Sequence, residues 1–464
     1  MRVRICGTGP WGAALRHDGT AVGCVGSSAE QSSTDGARYT PPPMSASVFD
    51  DLAWRGLIAH STDPEALHEL LDGPPMVFYC GFDPTAPSLG FGNLLQLVTM
   101  RRLQLAGHHP IVVVGGATGL IGDPSGKSEE RALNSEEVVS DWVERIRRQC
   151  ERYLSFEGDN AARVVNNLEW TGAMPALTLL REIGKHMNVN RMLDREVVKA
   201  RLEGDGISYT EFSYQVLQAT DFRELHRRYG AVLQTGGSDQ WGNLTAGVEL
   251  IRRMDGDTVH ALATPLITKA DGTKYGKTVS GSLWLDPEMT SPFAFYQHFL
   301  NQADADVTAL LRTFSFRSHE EITELERLTA ERPEERTAQR ALAGELTVLV
   351  HGDTEAEQSI AASRALFGQG DLSALDERTV ARAVAELPGA EVPAADLPGL
   401  VELLVSTGLC ESRGAAKRAI AEGGVYVNNV RAAGAAPPGP EQLLHGRWLI
   451  LRRGKRSLAA VEAR

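Results

Sequence analysis

In the segment SYQVLQATDF, Tyr214, Gln218 and Asp221 stand at positions i, i+4 and i+7, a spacing that puts all three on one stripe of an α-helix. Phe212, Val216, Leu217 and Phe222 flank them and argue against a fully solvated face. A hydroxyl, an amide and a carboxylate are costly to bury together unless a ligand or a network satisfies them. The chemistry this stripe offers is recognition of a small polar molecule.

Four loops could complete such a pocket. YCGFDPTAPSLGFGN, Tyr79 to Asn93, carries a turn built from Gly81, Asp83, Pro84 and Pro87. A strand before it and a helix from about Gly90 would aim backbone N–H groups at a negatively charged ligand. In GGATGLIGDPSGK, Gly115 to Lys127, the glycines allow close backbone approach and Asp123 can pair with an ammonium group. A tight loop with a capping Asp reads it equally well. It does not fit the Walker pattern, because Ile121 stands where the first Gly is required. QTGGSDQWGN, Gln234 to Asn243, places Asp239 either against ribose hydroxyls or at the start of a helix as a cap. TKADGTKYGKT, Thr268 to Thr278, holds Lys269, Lys274 and Lys277. It is either a solvated hairpin turn at Asp271-Gly272 or a lysine loop that closes over a polyphosphate.

These segments need a scaffold, and the pattern around them supplies one. Residues 48–270 alternate strand signals (Met76–Tyr79, Ile111–Val114, Arg163–Asn166) with helical ones (Leu94–Ala106, Glu136–Tyr153). That alternation predicts an α/β fold, a Rossmann-like doubly wound parallel sheet, here bounded at 44–290. Helical runs dominate 291–368, an α-helical domain. Residues 369–398, rich in Ala, Pro, Gly and acid, read as a linker with a short helix. A small α+β unit follows over 399–464, with helices at Leu400–Thr407 and Ser412–Glu422 and strands near Val425–Val427 and Trp448–Arg452.

Residues 1–43 are rich in Gly, Ser, Ala and Thr and end in Pro41-Pro42-Pro43, just before Met44. They read as a disordered extension or a misassigned start, with a partner-binding arm as the rival. No apolar run is long enough to cross a membrane, and no signal peptide is legible. Five cysteines lack metal or disulfide spacing, which predicts a reducing cytoplasm and no structural metal. The formal net charge is −13, yet residues 411–464 hold ten Lys/Arg against four Asp/Glu. An acidic body with a basic tail predicts a local polyanion site on a separate module.

YCGFDPTA, GGATGLIGDPSGK, YTEFSY, GGSDQWGN and ITKADGTKYGKT, in this order and spacing, resemble the bacterial tyrosyl-tRNA synthetases of class I, from about Phe49 to the end of the chain. The resemblance implies a tyrosine–tRNA ligase that uses ATP, with Mg2+ accompanying it, acts on L-tyrosine and tRNA(Tyr), and works as a homodimer. It implies that Tyr79 and Asp221 bind the phenol, that Asp123, Tyr214 and Gln218 hold the ammonium, and that Gln240 sits near the reacting carboxylate. Cys80, Gly81, Gly92, Asn93, Gly237 and Asp239 would form the ATP site. Thr85, Lys274 and Lys277 would contact the departing pyrophosphate, assisted by Lys127 and Arg131. Phenylalanine would be rejected because it leaves the buried partners of the phenol unpaired.

The family signature reads His-x-Gly-His or His-x-Gly-Asn; this chain has Gly90-Phe91-Gly92-Asn93. Gly90 falls in the ATP site but removes a donor to the departing phosphates. One preorganised donor is worth about 10²–10³ in rate, so the expectation is an active enzyme with slowed activation. SRGAAKRAIAEGGVYVNN, Ser412 to Asn429, resembles the core of S4-type RNA-binding domains and places Arg413, Lys417 and Arg418 on a helix. Arg447, Arg452, Arg453, Lys455 and Arg456 lie further on. Two competing functions remain: a tyrosyl-adenylate-forming enzyme with a non-translational acceptor, and a non-catalytic RNA-binding relative. Retention of Lys274, Lys277, Asp221 and Gln218 argues against the second.

Overall fold

A computed structural model describes residues 47–124, 134–204, 206–270, 281–454 and 457–464, with 272, 275, 277 and 278 between them. The 1–43 segment lies outside the described residues, as do Lys127, Arg131, Asp271, Lys274, Lys455, Arg456 and the Lys277 side chain.

The first sheet holds β1 (His60–Ser61), β2 (Val77–Phe82), β3 (His109–Val114), β4 (Arg163–Asn166), β5 (Ala231–Gly237) and β6 (His260–Thr264). Their spatial order is β1-β6-β5-β2-β3-β4, and all pairs are parallel except β1 with β6. The doubly wound α/β expectation holds. Strand β3 reads HPIVVV, with its last five residues buried, as a parallel strand covered on both faces requires. The chain winds outward from β2 through β3 to β4, then returns to place β5 on the other side of β2. The order reverses between β2 and β5, where such sheets open a crevice at the carboxyl ends of their strands.

The helices are cut by ordinary signals. Ser135 caps Glu136–Cys150, whose buried Val139, Val143, Ile146 and Cys150 form its inner stripe. Ser208 caps Tyr209–Tyr229, and Gly230, at φ 70°, ends it in the left-handed region. Five helices follow between Pro292 and Leu366. One apolar cluster joins Phe91 and Leu94 of helix Phe91–Leu105 to Phe295, Phe299, Phe314, Leu342 and Leu346. Beside it Asp51 accepts from Arg55 at 2.8 Å, lies 3.5 Å from Arg102 and meets His319 at 2.9 Å.

Strands β7 (Lys277–Thr278) and β8 (Gly281–Ser282) form a small antiparallel pair. The last sheet comprises β9 (Gly389–Val392), β10 (Val425–Val427), β11 (Val430–Arg431), β12 (Trp448–Arg453) and β13 (Ser457–Ala463), in the order β11-β10-β12-β13-β9. The period of two is plain here. Leu449, Leu451, Ala459 and Val461 pack on the helices Leu400–Ser406 and Arg413–Ala421. Trp448, Ile450, Leu458 and Ala460 pack the other way, against Phe293, Ala362 and Leu366. The stretch read as a linker carries the short helix expected of it, Glu377–Ala385, but also an unexpected strand, β9, which pairs in parallel with β13 and so ties the stretch into the last sheet.

Candidate active site

A cavity of about 340 Å³ opens at the β2/β5 switch point. Its walls are the carboxyl ends of β2 and β5, the start of helix Phe91–Leu105, the loop after β3, and helix Tyr209–Tyr229. Tyr79, Cys80, Gly81, Thr85, Gly92, Asn93, Asp123, Tyr214, Gln218, Asp221, Gly237, Asp239 and Gln240 all line it, so every one of these sequence-predicted residues is brought to one place. Gly90 does not line the cavity; it is the N-cap residue of helix Phe91–Leu105, where its N–H donates to Asn93 Oδ1 at 3.0 Å.

The deep end is built around Asp221. Asn167 Nδ2 donates to its Oδ2 at 2.9 Å and Trp170 Nε1 to its Oδ1 at 2.7 Å. Burial pushes this carboxyl up to about 7, against the pull of those two donors. Tyr79 reaches the same region from β2 and stacks edge-on against Phe222, ring centroids 5.2 Å apart. Burial, with the Asp221 charge behind it, holds its phenol well above the ordinary value. The Tyr79 hydroxyl is 1% exposed as a residue and makes no hydrogen bond. Gln234, beside Tyr79 in the β2–β5 register, likewise has a buried Oε1 without a partner. Unpaired buried polar atoms on a cavity wall mark where a ligand's polar groups belong.

At the other wall Tyr214 Oη donates to Asp83 Oδ2 at 2.6 Å, and Thr118 Oγ1 donates to Asp83 Oδ1 at 2.6 Å. Burial and the Asp83 charge hold the Tyr214 phenol protonated, well above its usual range. The loop glycines make this possible: a Cβ on Gly115 would lie 2.0 Å from Asp83 Oδ1. Asp123 accepts from Gln240 Nε2 at 2.5 Å. On the opposite face of the sheet, burial pushes the Cys80 thiol up to about 12, so it is a neutral wall atom rather than a nucleophile.

Sequence reasoning missed Asn167, Trp170, Thr118 and Gln234, and saw Asp83 only as a turn residue. Asn167 bridges the segment after β3 to helix Tyr209–Tyr229, since its Oδ1 accepts from Ala117 N at 2.7 Å while its Nδ2 serves Asp221 and Thr118. In the C-terminal sheet's helix, Arg413, Lys417 and Arg418 are exposed, with Arg413 3.4 Å from Glu402. Arg447 and Arg452 are engaged locally: Arg447 pairs with Glu462 and Arg452 stacks on Tyr426. Among the described residues no cluster of His, Cys, Asp or Glu could hold a metal, and no helix is long and apolar enough to cross a membrane.

A doubly wound sheet with a polar cavity at its switch point, packed with a helical layer and a C-terminal sheet module, has the form of a nucleotide-binding α/β enzyme. Residues 72–368 match the model of the tRNA synthetases class I (W and Y), and residues 379–461 match that of the tyrosine–tRNA ligase SYY-like C-terminal domain. The tyrosine–tRNA ligase of Streptomyces avermitilis is 61% identical over 418 residues, which is 89% of this chain and 98% of that protein. The tyrosine–tRNA ligase of Mycobacterium tuberculosis is 57% identical over 422 residues, 90% of this chain and 99% of that protein. Among solved structures, a C-terminally truncated mitochondrial tyrosyl-tRNA synthetase of Aspergillus nidulans superposes with a TM-score of 0.62 at 31% identity, covering 69% of this chain and 94% of its own. The chain belongs to the tyrosine–tRNA ligase family of class I tRNA synthetases and has that family's activity, with ATP, tyrosine and tRNA as its substrates.

Proposed function

We propose that the cavity between β2, β5 and helix Tyr209–Tyr229 is where both steps of tyrosine transfer occur. The tyrosine phenol lies between Tyr79 Oη, which donates to it, and the Asp221 carboxylate, which accepts from it. The ammonium end is held by Asp123, Gln218 and Tyr214. Because the Tyr214 proton is committed to Asp83, its oxygen lone pairs are left to accept from an ammonium N–H. Cys80, Gly81, Gly92, Asn93, Gly237 and Asp239 line the nucleotide side.

A tyrosine carboxylate oxygen, beside Gln240, then attacks the α-phosphorus of ATP. The bond from that phosphorus to the bridging oxygen breaks, and pyrophosphate leaves on the Thr85 side of the cavity; the family resemblance gives Lys274 and Lys277, assisted by Lys127 and Arg131, the role of neutralising its charge. The Mg2+ enters bound to ATP, as part of the substrate. In the second step a hydroxyl of the 3′-terminal ribose of tRNA(Tyr) attacks the mixed anhydride carbonyl and AMP leaves. Such transfers rely on positioning and charge neutralisation.

The observation that carries this reading is the unpartnered Tyr79 hydroxyl facing the same buried space as Asp221. Tyrosine-dependent ATP–pyrophosphate exchange, followed by charging of purified tRNA, tests it. Exchange with phenylalanine at the tyrosine rate, or no exchange with either amino acid, rejects it.

The same reading gives Arg413, Lys417 and Arg418 to tRNA phosphates. It includes a homodimer, supported by the exposed Leu177, Leu180 and Val189, and a cytoplasmic location, supported by the free cysteines Cys80, Cys150 and Cys410.

A further inference from the structure

Arg195 precedes helix Glu196–Leu202 and is absent from the cavity wall, yet it heads a chain of hydrogen bonds that ends inside it. Its Nη1 donates to Asn243 Oδ1 at 2.7 Å. Asn243 Nδ2 donates to Gln240 Oε1 at 2.9 Å. Gln240 Nε2 donates to Asp123 Oδ2 at 2.5 Å. Gly242 makes room for the first link, since a Cβ there would lie 2.6 Å from Arg195 Cζ and 2.8 Å from its Nε. Burial draws the guanidinium down to about 10, and the Asp123 charge works against that fall, so it is a cation at neutral pH.

The chain has a direction. A guanidinium carries five N–H donors and no acceptor. The group facing it must therefore be an oxygen, which fixes the orientation of the Asn243 amide. Asn243 then offers an N–H to Gln240, which turns the Gln240 carbonyl outward and its Nε2 inward.

We propose that Arg195 is a positioning residue for amino-acid activation, acting through Asn243 to make Gln240 present an N–H rather than a carbonyl to the carboxylates in the cavity. The inference rests on the reading that Asp123 and Gln240 hold the amino-acid end of tyrosine. When the substrate ammonium engages Asp123, the Gln240 N–H is left aimed at the substrate carboxylate. A reversed amide would set a carbonyl oxygen against it.

Asn243→Asp in the full-length chain is the discriminating variant. It keeps the shape and the acceptor for Arg195, but loses the N–H donor. Its second oxygen draws Gln240 Nε2 away and turns the Gln240 carbonyl towards Asp123. In tyrosine-dependent pyrophosphate exchange, kcat/KM for tyrosine should fall about 10- to 100-fold, the loss of one charge-assisted hydrogen bond. The KM for ATP and the Tm should be unchanged. Arg195→Met should reproduce the loss, and Arg195→Lys, still a pure donor, should restore most of it. Wild-type kcat/KM in Asn243→Asp overturns the inference. So does a loss shared equally by the tyrosine and ATP parameters and accompanied by a lower Tm, which would make Arg195 structural only. Asp123→Asn separates the two readings. If it raises the KM for tyrosine while Asn243→Asp is silent, only the inference fails. If Asp123→Asn leaves that KM unchanged, the tyrosine-site reading fails and takes the inference with it.

Discussion

Trp170 Nε1 donates to Asp221 Oδ1 at 2.7 Å, so a residue of the one-turn helix after β4, Leu168–Thr171, holds the acid at the cavity wall. Burial nonetheless raises that acid to about 7. Its ionised form accepts the substrate phenol more strongly than its neutral form. Tyrosine affinity, measured by calorimetry, should therefore rise as pH increases through about 7; a flat profile from pH 5.5 to 8.5 contradicts this. The same shift bears on folding. A carboxyl whose pKa is higher folded than unfolded contributes stability below the unfolded value, near 3.8, and that contribution is lost as pH rises through about 7.

Tyr79→Phe removes a hydroxyl that has no partner in the protein itself. Thermal unfolding of the ligand-free enzyme should show an equal or higher Tm. Tyrosine binding should weaken about 10-fold, the worth of one hydrogen bond. A clear drop in Tm would mean that the hydroxyl is satisfied by the fold rather than by substrate.

Gly90 has φ −94° and ψ 172°, extended backbone that any residue can adopt. A Cβ there would sit 3.7 Å from Leu283 O and 4.0 Å from Asn93 Oδ1, ordinary contact distances. Gly90→His should fold normally and raise the rate of pyrophosphate exchange by about 10²–10³, the worth of one preorganised donor. An unchanged rate rejects the account of slowed activation.

Asp51 is held below the usual carboxylate range: burial raises it, but Arg102, Arg55 and His319 outweigh burial. Asp51→Ala leaves Arg55 and Arg102 buried without this carboxylate. It should lower stability by about 3–5 kcal/mol in denaturant titration. The wild-type pair loses strength on acidification below the unfolded value near 3.8.

Lys417 and Arg418 stand exposed on helix Arg413–Ala421. Replacing both with Ala should reduce the slope of log K against log salt for tRNA binding by about 2 and weaken charging. An unaltered slope places the phosphate contacts elsewhere. Deleting residues 399–464 is a poorer test, because it strips β13 from β9 and uncovers Phe293 and Leu366.

Much of this molecule is written locally. The polar stripe Tyr214–Gln218–Asp221 needs only the 3.6 period, and HPIVVV reads directly as a buried strand. Asp83 was legible only as a turn former, because its partners Thr118 and Tyr214 arrive from 35 and 131 residues away. Asn167 and Trp170 belong to a one-turn helix, Leu168–Thr171, and its N-cap, and gain their meaning from the parallel sheet that carries them to Asp221. Strand β9 was hidden by an Ala- and Pro-rich surround, and SLAAVEA of β13 by alanines, which favour strands weakly. Their place is set by tertiary packing, Val392 with Leu449 and Val461 in one apolar cluster and Leu458 and Ala460 with Trp448 and Ile450 in another, which composition does not report.

The interior place of β13 in its sheet has a bearing on biosynthesis. It is the last of the five strands to leave the ribosome, yet it stands between β12 and β9 and pairs with both. The nascent chain can close the nucleotide crevice early, but its nucleic-acid module stays unfinished until translation has passed Ala463. Nonsense or frameshift products that stop shortly before that point would keep Arg413, Lys417 and Arg418 but lack the strand that completes the sheet behind their helix.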